Sequence, residues 1–446
     1  MTVDLALKNA KVYTPYGVVE AGLAIDNERI VKIAKHVNLP PASKEIDLKD
    51  RLVLPGLIDV HVHLRDQELA YKEDFFSGTA AAANGGVTLT IDMPNNKPLT
   101  MGLESLKERM RIAEEKAIVN VAFYSAFPGE IEEIHRIVKM GGAIAFKLFM
   151  SQQIGGINPE DEEKLTKALK EAVKVGVPVA VHAEDAKLLR EKKMKYGESE
   201  DLEDYLKVHS LEAEAEAVKH ILQLSRVTGT HVHFCHISSS EGIEAISAAK
   251  KSGLPVTCEV TPHHLLIPSQ YLKRVGAVAL ADPPARSQRD IDGLWKSLFD
   301  GVVDVLASDH APHTVEEKRE KSIWRVKTGI PGLETMLPLL LTQINDGHLD
   351  LPTLTKVTSS NPSRIFSIRG RGELKEENYA DLVVVETKRE YKIDSSRFYS
   401  KAKYSPFDGW KVRGKPVKTF VNGHLVMDEG EILAKPGSGG IVKWSS

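Results

Sequence analysis

The chain has 446 residues, and 59 Lys+Arg against 62 Asp+Glu leave a formal net charge of −3. With no sustained basic stripe, this balance gives no footprint for nucleic acid or for an anionic membrane surface. Two cysteines, Cys235 and Cys258, exclude a disulfide-stapled secreted scaffold and fit a reducing, cytoplasmic setting. The length allows about three domains at roughly 150 residues each, or fewer if one of them is a barrel.

In chain order, the opening MTVDLALKNAKVY carries charges within its apolar stretch and lacks a signal-peptide core. Residues 5–13, 23–26 and 30–33 alternate apolar and polar side chains between turn signals, which predicts short strands. The character changes at Pro55-Gly56. Beyond it lie strand candidates at 57–63, 87–93, 118–126, 143–149, 177–182, 231–237, 255–260 and 303–309. Segments of helical period alternate with them, at 72–83, 103–115, 130–140, 159–175, 210–227, 241–251 and 290–299. This alternation predicts an α/β fold, a (β/α)8 TIM barrel over residues 55–370, with a doubly wound open sheet as the alternative. Strand patterning returns at 381–386, 417–421 and 431–433. Residues 1–54 and 371–446 are therefore expected to build one small β-sandwich-like domain from both chain ends. The stretch 435–440 (KPGSGG) reads as a loose tail. The longest apolar run, 336–341, is far too short to span a bilayer.

His61 and His63 close the first barrel strand. At i and i+2 they share a face and would both look into the barrel mouth. Neutral imidazole is a common ligand for zinc and similar ions. Recurrence makes the pair a pattern: His182 ends the fifth predicted strand, His236 stands at the end of the sixth and Asp309 ends the eighth. Barrels of this kind build their active sites at C-terminal strand ends, and four histidines with one carboxylate are a metal-site inventory. Lys147 stands at the end of the fourth strand, within Ala-Ile-Ala-Phe-Lys-Leu-Phe-Met, where a charged amine is costly unless paired or neutralised. Its two readings are a snorkelling or salt-bridged lysine and a neutral amine that captures CO2 as a carbamate. The carbamate is a bidentate anion suited to bridging two cations about 3.5–4 Å apart. His231 and His233 are separated from His236 by odd spacings and are expected to face away from the mouth. His263 and His264 are expected near the site in a supporting or structural role, His310 to point away from it as the neighbour of Asp309, and Cys235 as a buried small residue. Residues 151–158, with two glycines, are a candidate lid.

Pro55-Gly56-Leu57-Ile58-Asp59-Val60-His61-Val62-His63, together with Lys147, His182, His236 and Ser308-Asp309-His310, resembles the amidohydrolase superfamily in its cyclic amidohydrolase branch. The resemblance spans nearly the whole chain and is strongest to the dihydroorotases. It implies hydrolysis, and in de novo pyrimidine (UMP) biosynthesis formation, of the ring amide of (S)-dihydroorotate, whose open form is N-carbamoyl-L-aspartate. It also implies two divalent metal ions, zinc by preference, held by His61, His63, His182, His236, Asp309 and an N6-carboxylated Lys147. Asp309 would then serve as general base and acid for a bridging hydroxide. The implied partners are a small-molecule substrate and further copies of the chain in a dimer or tetramer. Some relatives also associate with an aspartate transcarbamoylase.

Arg65 (HVHLRD), Asn95 (MPNN) and His313 (DHAPHT) match the family's substrate-binding residues. An arginine fork with an amide suits the ring carboxylate that hydantoins and allantoin lack. Gly329-Ile330-Pro331-Gly332-Leu333-Glu334-Thr335 matches the segment whose backbone lines the family's pocket, which implicates Pro331 and Gly332. Two departures stand out. Many bacterial dihydroorotases have an aspartate where Lys147 stands, which sets this chain nearer the carboxylated-lysine members, hydantoinases and allantoinases among them. Asp282-Pro283-Pro284-Ala285-Arg286 also replaces the usual Asn-Pro-Pro-Leu-Arg. Asp282 can accept from a ring N–H but cannot donate, and it would repel a nearby carboxylate, so its substrate contact is open. The rivals are a hydantoinase (dihydropyrimidinase) or allantoinase, and a non-catalytic scaffold. Hydantoinases place a tyrosine five residues after the carboxylated lysine, where this chain has Gln152; a scaffold should have lost ligands, and all six are present.

Overall fold

In the computed structural model, which describes residues 2–444, the alternating N-terminal stretch forms β1 (Val3–Thr14), β2 (Gly17–Asp26), β3 (Arg29–Ala34) and β4 (Ala42–Pro55). The next eight strands are β5 (Leu57–Val62), β6 (Val87–Asp92), β7 (Asn120–Ala126), β8 (Ala145–Phe149), β9 (Val179–His182), β10 (Val232–Phe234), β11 (Val256–Val260) and β12 (Val305–Leu306). Then come β13 (Leu382–Lys392), β14 (Lys411–Val421), β15 (His424–Asp428) and β16 (Glu431–Ile432). Pairing sorts them into two sheets, ordered β16-β15-β14-β13-β4-β1-β2-β3 and β12-β11-β10-β9-β8-β7-β6-β5.

Every residue of β5 to β12 is buried, as expected of a parallel sheet covered on both faces. The two ends of that sheet meet. Val62 bridges His310, and the His63 N–H donates to the His310 carbonyl at 2.8 Å. The sheet is therefore a TIM barrel, and the open alternative falls. The other sheet is assembled from both chain ends, because β4 pairs with β1 on one side and β13 on the other. From it β4 runs through Gly56 directly into β5. A Cβ at Gly56 would lie 2.2 Å from the Thr88 side chain.

Helices start where a side chain offers an acceptor to the free N-terminal N–H groups. Asp74 closes a capping box with Ser77, so the first barrel helix is Phe75–Asn84 rather than 72–83. Lys72 and Glu73 are thereby left outside the helix. Asp161 likewise starts Glu162–Val175 inside the predicted boundary. Where 130–140 reads as helical, the chain makes one turn, Glu133–Arg136, and a π turn, Ile137–Gly141. The helices Ala186–Tyr196 and Leu202–Val208 are additions that periodicity does not single out.

Residues 435–440, read as loose, are bound. The N–H groups of Gly437 and Gly439 donate to the Ala117 carbonyl at 3.1 and 2.9 Å, and the Gly440 carbonyl accepts from Val121 at 2.9 Å. A Cβ on Gly439 would lie 2.2 Å from the Val119 carbonyl oxygen, so glycine serves here for close approach rather than for flexibility. Val442 and Trp444 then pack with Phe366 and Ile368 against the barrel's interior residues. No helix among the described residues is long and apolar enough to cross a membrane.

Candidate active site

The mouth of the barrel collects the charged and imidazole side chains. His61 lies inside β5 and His63 one residue beyond it; Lys147 lies in β8, and His182 ends β9. His236 follows β10 by two residues and Asp309 follows β12 by three. Both turn away from their strands in the left-handed region, at φ 33° and 46°, where L residues stay only if their surroundings hold them. Nε2 of His61 and Nε2 of His63 converge on one oxygen, Oδ1 of Asp309, at 3.3 and 3.4 Å. His182 Nδ1 faces His236 Nε2 at 3.2 Å, and the rings of His61 and His236 lie 5.1 Å apart. Lys147 is 1% exposed, which removes the snorkelling alternative. Its hydrogen-bond partner among the described residues is Cys235 Sγ, at 2.9 Å, and no carboxylate pairs with it. All six residues line one cavity of about 680 Å3.

Facing imidazole nitrogens satisfy one another poorly, and a buried amine without an anion is costly. Such a set fits divalent cations, and His61, His63 and Asp309 form one buried group of ligand atoms. Burial first, and then Arg65 for His63 and the adjacent His182 and His61 rings for His236, hold both well below the usual imidazole value, while burial pushes the Asp309 carboxyl up. The far nitrogen of three rings is occupied. His61 Nδ1 meets the Glu259 carboxylate, His63 Nδ1 meets Asn95 Oδ1 at 2.8 Å, and His182 Nε2 meets Glu184 at 2.9 Å. An N–H donated outward leaves the inward lone pair for a cation.

A second group gathers beside this one. Arg65, Asp66 and Gln67 are successive left-handed residues, at φ 54°, 57° and 51°. The Asp66 carboxylate holds this turn, accepting from the N–H of Gln67 at 2.6 Å, the N–H of Phe75 at 3.0 Å and Lys116 Nζ at 2.9 Å. The turn sets Arg65 Nη2 at 3.3 Å from His313 Nε2 and leaves the buried Arg65 Nε without a partner. On the ring's other side, His313 Nδ1 lies 3.1 Å from Lys72 Nζ. Burial, then the Arg65 and Lys72 cations, hold His313 well below its usual value. This corner therefore carries a neutral ring, the Arg65 cation, and a second cation, Lys72, that is paired with Glu317 at 2.8 Å. Ile154, Leu189, Val208, Ile323, Trp324 and Val326 give the cavity an apolar stretch of wall.

The sequence pattern of the Amidohydrolase family matches residues 52–426. The chain belongs to the amidohydrolase family. It is 37% identical over 430 residues to a dihydroorotase of Methanothermobacter thermautotrophicus, covering 96% of this chain and 95% of that one. It is 33% identical over 448 residues to an L-hydantoinase of Paenarthrobacter aurescens, covering 98% of each. Among solved structures, the L-hydantoinase (dihydropyrimidinase) from Arthrobacter aurescens superposes with a TM-score of 0.95 at 32% identity, over 99% of this chain and 100% of that one. The protein is thus a hydrolase, a cyclic amidohydrolase.

In this amidohydrolase, Asp282 lines the cavity with both carboxylate oxygens already accepting hydrogen bonds. Its Oδ1 accepts from Tyr205 Oη at 2.5 Å and its Oδ2 from the Thr328 hydroxyl at 2.7 Å. His209 Nδ1 lies 3.7 Å from Asp282 and 3.0 Å from Glu184. Against burial, which opposes it, these two carboxylates push His209 up to about 9. The folded chain then keeps a proton that the unfolded chain releases near 6.5. The pair's contribution is complete below that pH and is lost as pH rises through about 9. Thermal melts from about pH 6 to 10 are expected to show the loss, and Asp282→Asn is expected to shrink it; an unaltered profile would refute the pairing.

Pro331 and Gly332 do not reach the cavity of this amidohydrolase. Its wall ends at Lys327, Thr328 and Gly329, while the Gly332 N–H donates to His310 Nδ1 at 3.2 Å behind it. Ser151, Gln152 and Ile154 of the candidate lid line the cavity, and the Gly156 N–H anchors that loop on the Phe127 carbonyl at 2.8 Å. His264 is tied to Thr261 Oγ1 and the Pro283 carbonyl, both at 2.9 Å, away from the cavity lining. Burial pushes the Cys235 thiol up to about 12, consistent with a small buried residue. Lys72, Glu184, Tyr205 and His209 line the cavity without having been singled out from sequence. Lys72 becomes visible once the cap at Asp74 is read as the start of the helix. The other three lie in or around the helices added between β9 and β10.

Proposed function

We propose that this cyclic amidohydrolase is a dihydroorotase, interconverting (S)-dihydroorotate and N-carbamoyl-L-aspartate in de novo pyrimidine biosynthesis. Arg65 carries the reading: a buried guanidinium with an unpartnered Nε, beside Lys72 and a neutral His313, suits the ring carboxylate. Two divalent ions, zinc by preference, on His61, His63, His182, His236, Asp309 and carboxylated Lys147 would supply Lewis acidity that activates a water and polarises the scissile carbonyl. The Lys147 amine adds to CO2, forming a C–N bond and releasing one proton, which leaves the carbamate. Asp309 accepts a proton from the attacking water as its oxygen bonds to the ring carbon. It delivers that proton to the ring nitrogen as the C–N bond breaks. Asn95, its Oδ1 held by His63, keeps its amide N–H groups for the substrate, and His313 and Arg65 fix the ring against rotation. Asp282 is left to orient Tyr205 and Thr328. The proposal includes a cytoplasmic homo-oligomer, a dimer or tetramer, with an aspartate transcarbamoylase as a further partner.

The apolar wall of Leu189, Val208, Trp324 and their neighbours favours a second reading, a hydantoinase that accepts a bulky apolar substituent. Rates on dihydroorotate, hydantoin and allantoin at defined metal loading separate the two, and preference for hydantoin would overturn the first. Arg65→Met is expected to weaken dihydroorotate binding by about 2–5 kcal/mol, roughly thirtyfold or more in KM, and to leave hydantoin turnover nearly unchanged.

A further inference from the structure

Glu259, in β11, is fully buried within the barrel, and the proposed ligand set does not use it. Its Oε1 meets Nδ1 of His61 and accepts from the His236 N–H at 3.1 Å, while Oε2 meets Nε2 of His233 at 3.1 Å. Behind His233 the contacts continue: its Nδ1 lies 2.9 Å from Thr257 Oγ1, which lies 3.1 Å from His231 Nε2. One placement of hydrogens satisfies the whole chain. His231 Nε2–H donates to Thr257, whose hydroxyl donates to His233 Nδ1. His233 Nε2–H, His61 Nδ1–H and the His236 N–H all donate to Glu259. The three histidines of this hydrogen-bonded series, His231, His233 and His61, are then neutral and the Glu259 carboxylate is its single charge.

The same placement has consequences at the mouth. With its proton on Nδ1, His61 presents the Nε2 lone pair toward Asp309 Oδ1, 3.3 Å away. With its N–H held, His236 stays in its left-handed conformation, which turns Nε2 to His182 Nδ1. A carboxylate is expensive in a barrel interior, and an apolar residue would fill the space as well. Two of its three donors come from proposed metal ligands. The ligand atoms of Glu259, His61 and Cys235 also lie within 4.8 Å of one another, but both Glu259 oxygens are already taken.

We infer that Glu259 is a positioning residue that sets the metal affinity of this site, by fixing the tautomer of His61 and the backbone of His236. The inference rests on the reading of those two histidines as ligands. It is tested on the full chain by chelator competition for Zn2+, with the visible spectrum of the Co2+ form recorded alongside. Glu259→Gln is expected to weaken Zn2+ binding by about ten- to a hundredfold and to change the Co2+ spectrum. His233→Phe removes the donor to the far oxygen and leaves both ligand contacts; it is expected to cost less than about threefold. Wild-type affinity in Glu259→Gln would overturn the inference, as would a His233→Phe loss equal to it, which would trace the effect to the core. Should Glu259→Gln fail to fold, Glu259→Asp, a methylene too short to reach both donors, is expected to lose about tenfold, and wild-type affinity there would overturn the inference. A wild type that binds no metal would overturn the site reading together with this one. An error in the substrate alone leaves the measurement standing.

Discussion

Asp309→Asn is expected to lower kcat by about 10^3–10^4 while most of the metal stays bound and KM changes little. The amide keeps the size of the side chain and an oxygen where Oδ1 now lies, 3.3 and 3.4 Å from the two Nε2 atoms of His61 and His63. It cannot take up a proton, so the water loses its base and the ring nitrogen its acid in a single change. Arg65, Asn95 and His313 are untouched, which keeps the loss in kcat. Steady-state kinetics with metal analysis on the same preparation checks both halves, and a near-normal rate would end the assignment of Asp309 as the proton carrier.

The second large effect is expected from Lys147→Met. Methionine is unbranched, one atom shorter than lysine and suited to the apolar setting of Lys147, whose hydrogen bond goes to Cys235 Sγ, so β8 should form as before. No carbamate can form on it. Bound metal is expected to fall from near two equivalents to one or none, and activity by at least about a hundredfold, the upper end of what losing an outer partner of a metal ligand costs. Native mass spectrometry supplies a separate readout: the wild type should carry one added CO2 that acid removes, and the variant none. Two bound metals and normal turnover in Lys147→Met would exclude the carbamate.

The positions of the six central residues were legible because strand ends are a local property. Period-two patterning locates a strand, and its last inward residue faces the mouth. The same counting kept His233 out of the mouth, and it does not line the cavity, but parity is not the reason. Its odd spacing from His236 puts the two on opposite faces of a regular strand, yet β10 stops at Phe234 and His236 turns at φ 33°. Parity does not carry across that break, and His233 points inward to Glu259. Glu259 gave the same signal as Lys147, one charged residue in an apolar strand, but nothing local says which side chains neutralise it. Helix starts slipped where caps overrule periodicity, as at Asp74 and Asp161. The glycine-rich tail looked loose because composition cannot tell a flexible glycine from one that lies against another backbone.

By itself the chain's order of residues determined the barrel, the outer sheet from both ends, the convergence of His61, His63, Lys147, His182, His236 and Asp309, and the family. All of these follow from periodicity or from motifs that sit at strand ends. The tertiary structure alone decided which nitrogen of each histidine faces the cavity, that Asp282 is occupied by Tyr205 and Thr328, that Pro331 and Gly332 stay behind the wall, and that Glu259 holds His61. These are contacts between residues as far as 198 positions apart. They exist only because the sheet closes, and closure is a property of all eight strands together that no window along the chain contains.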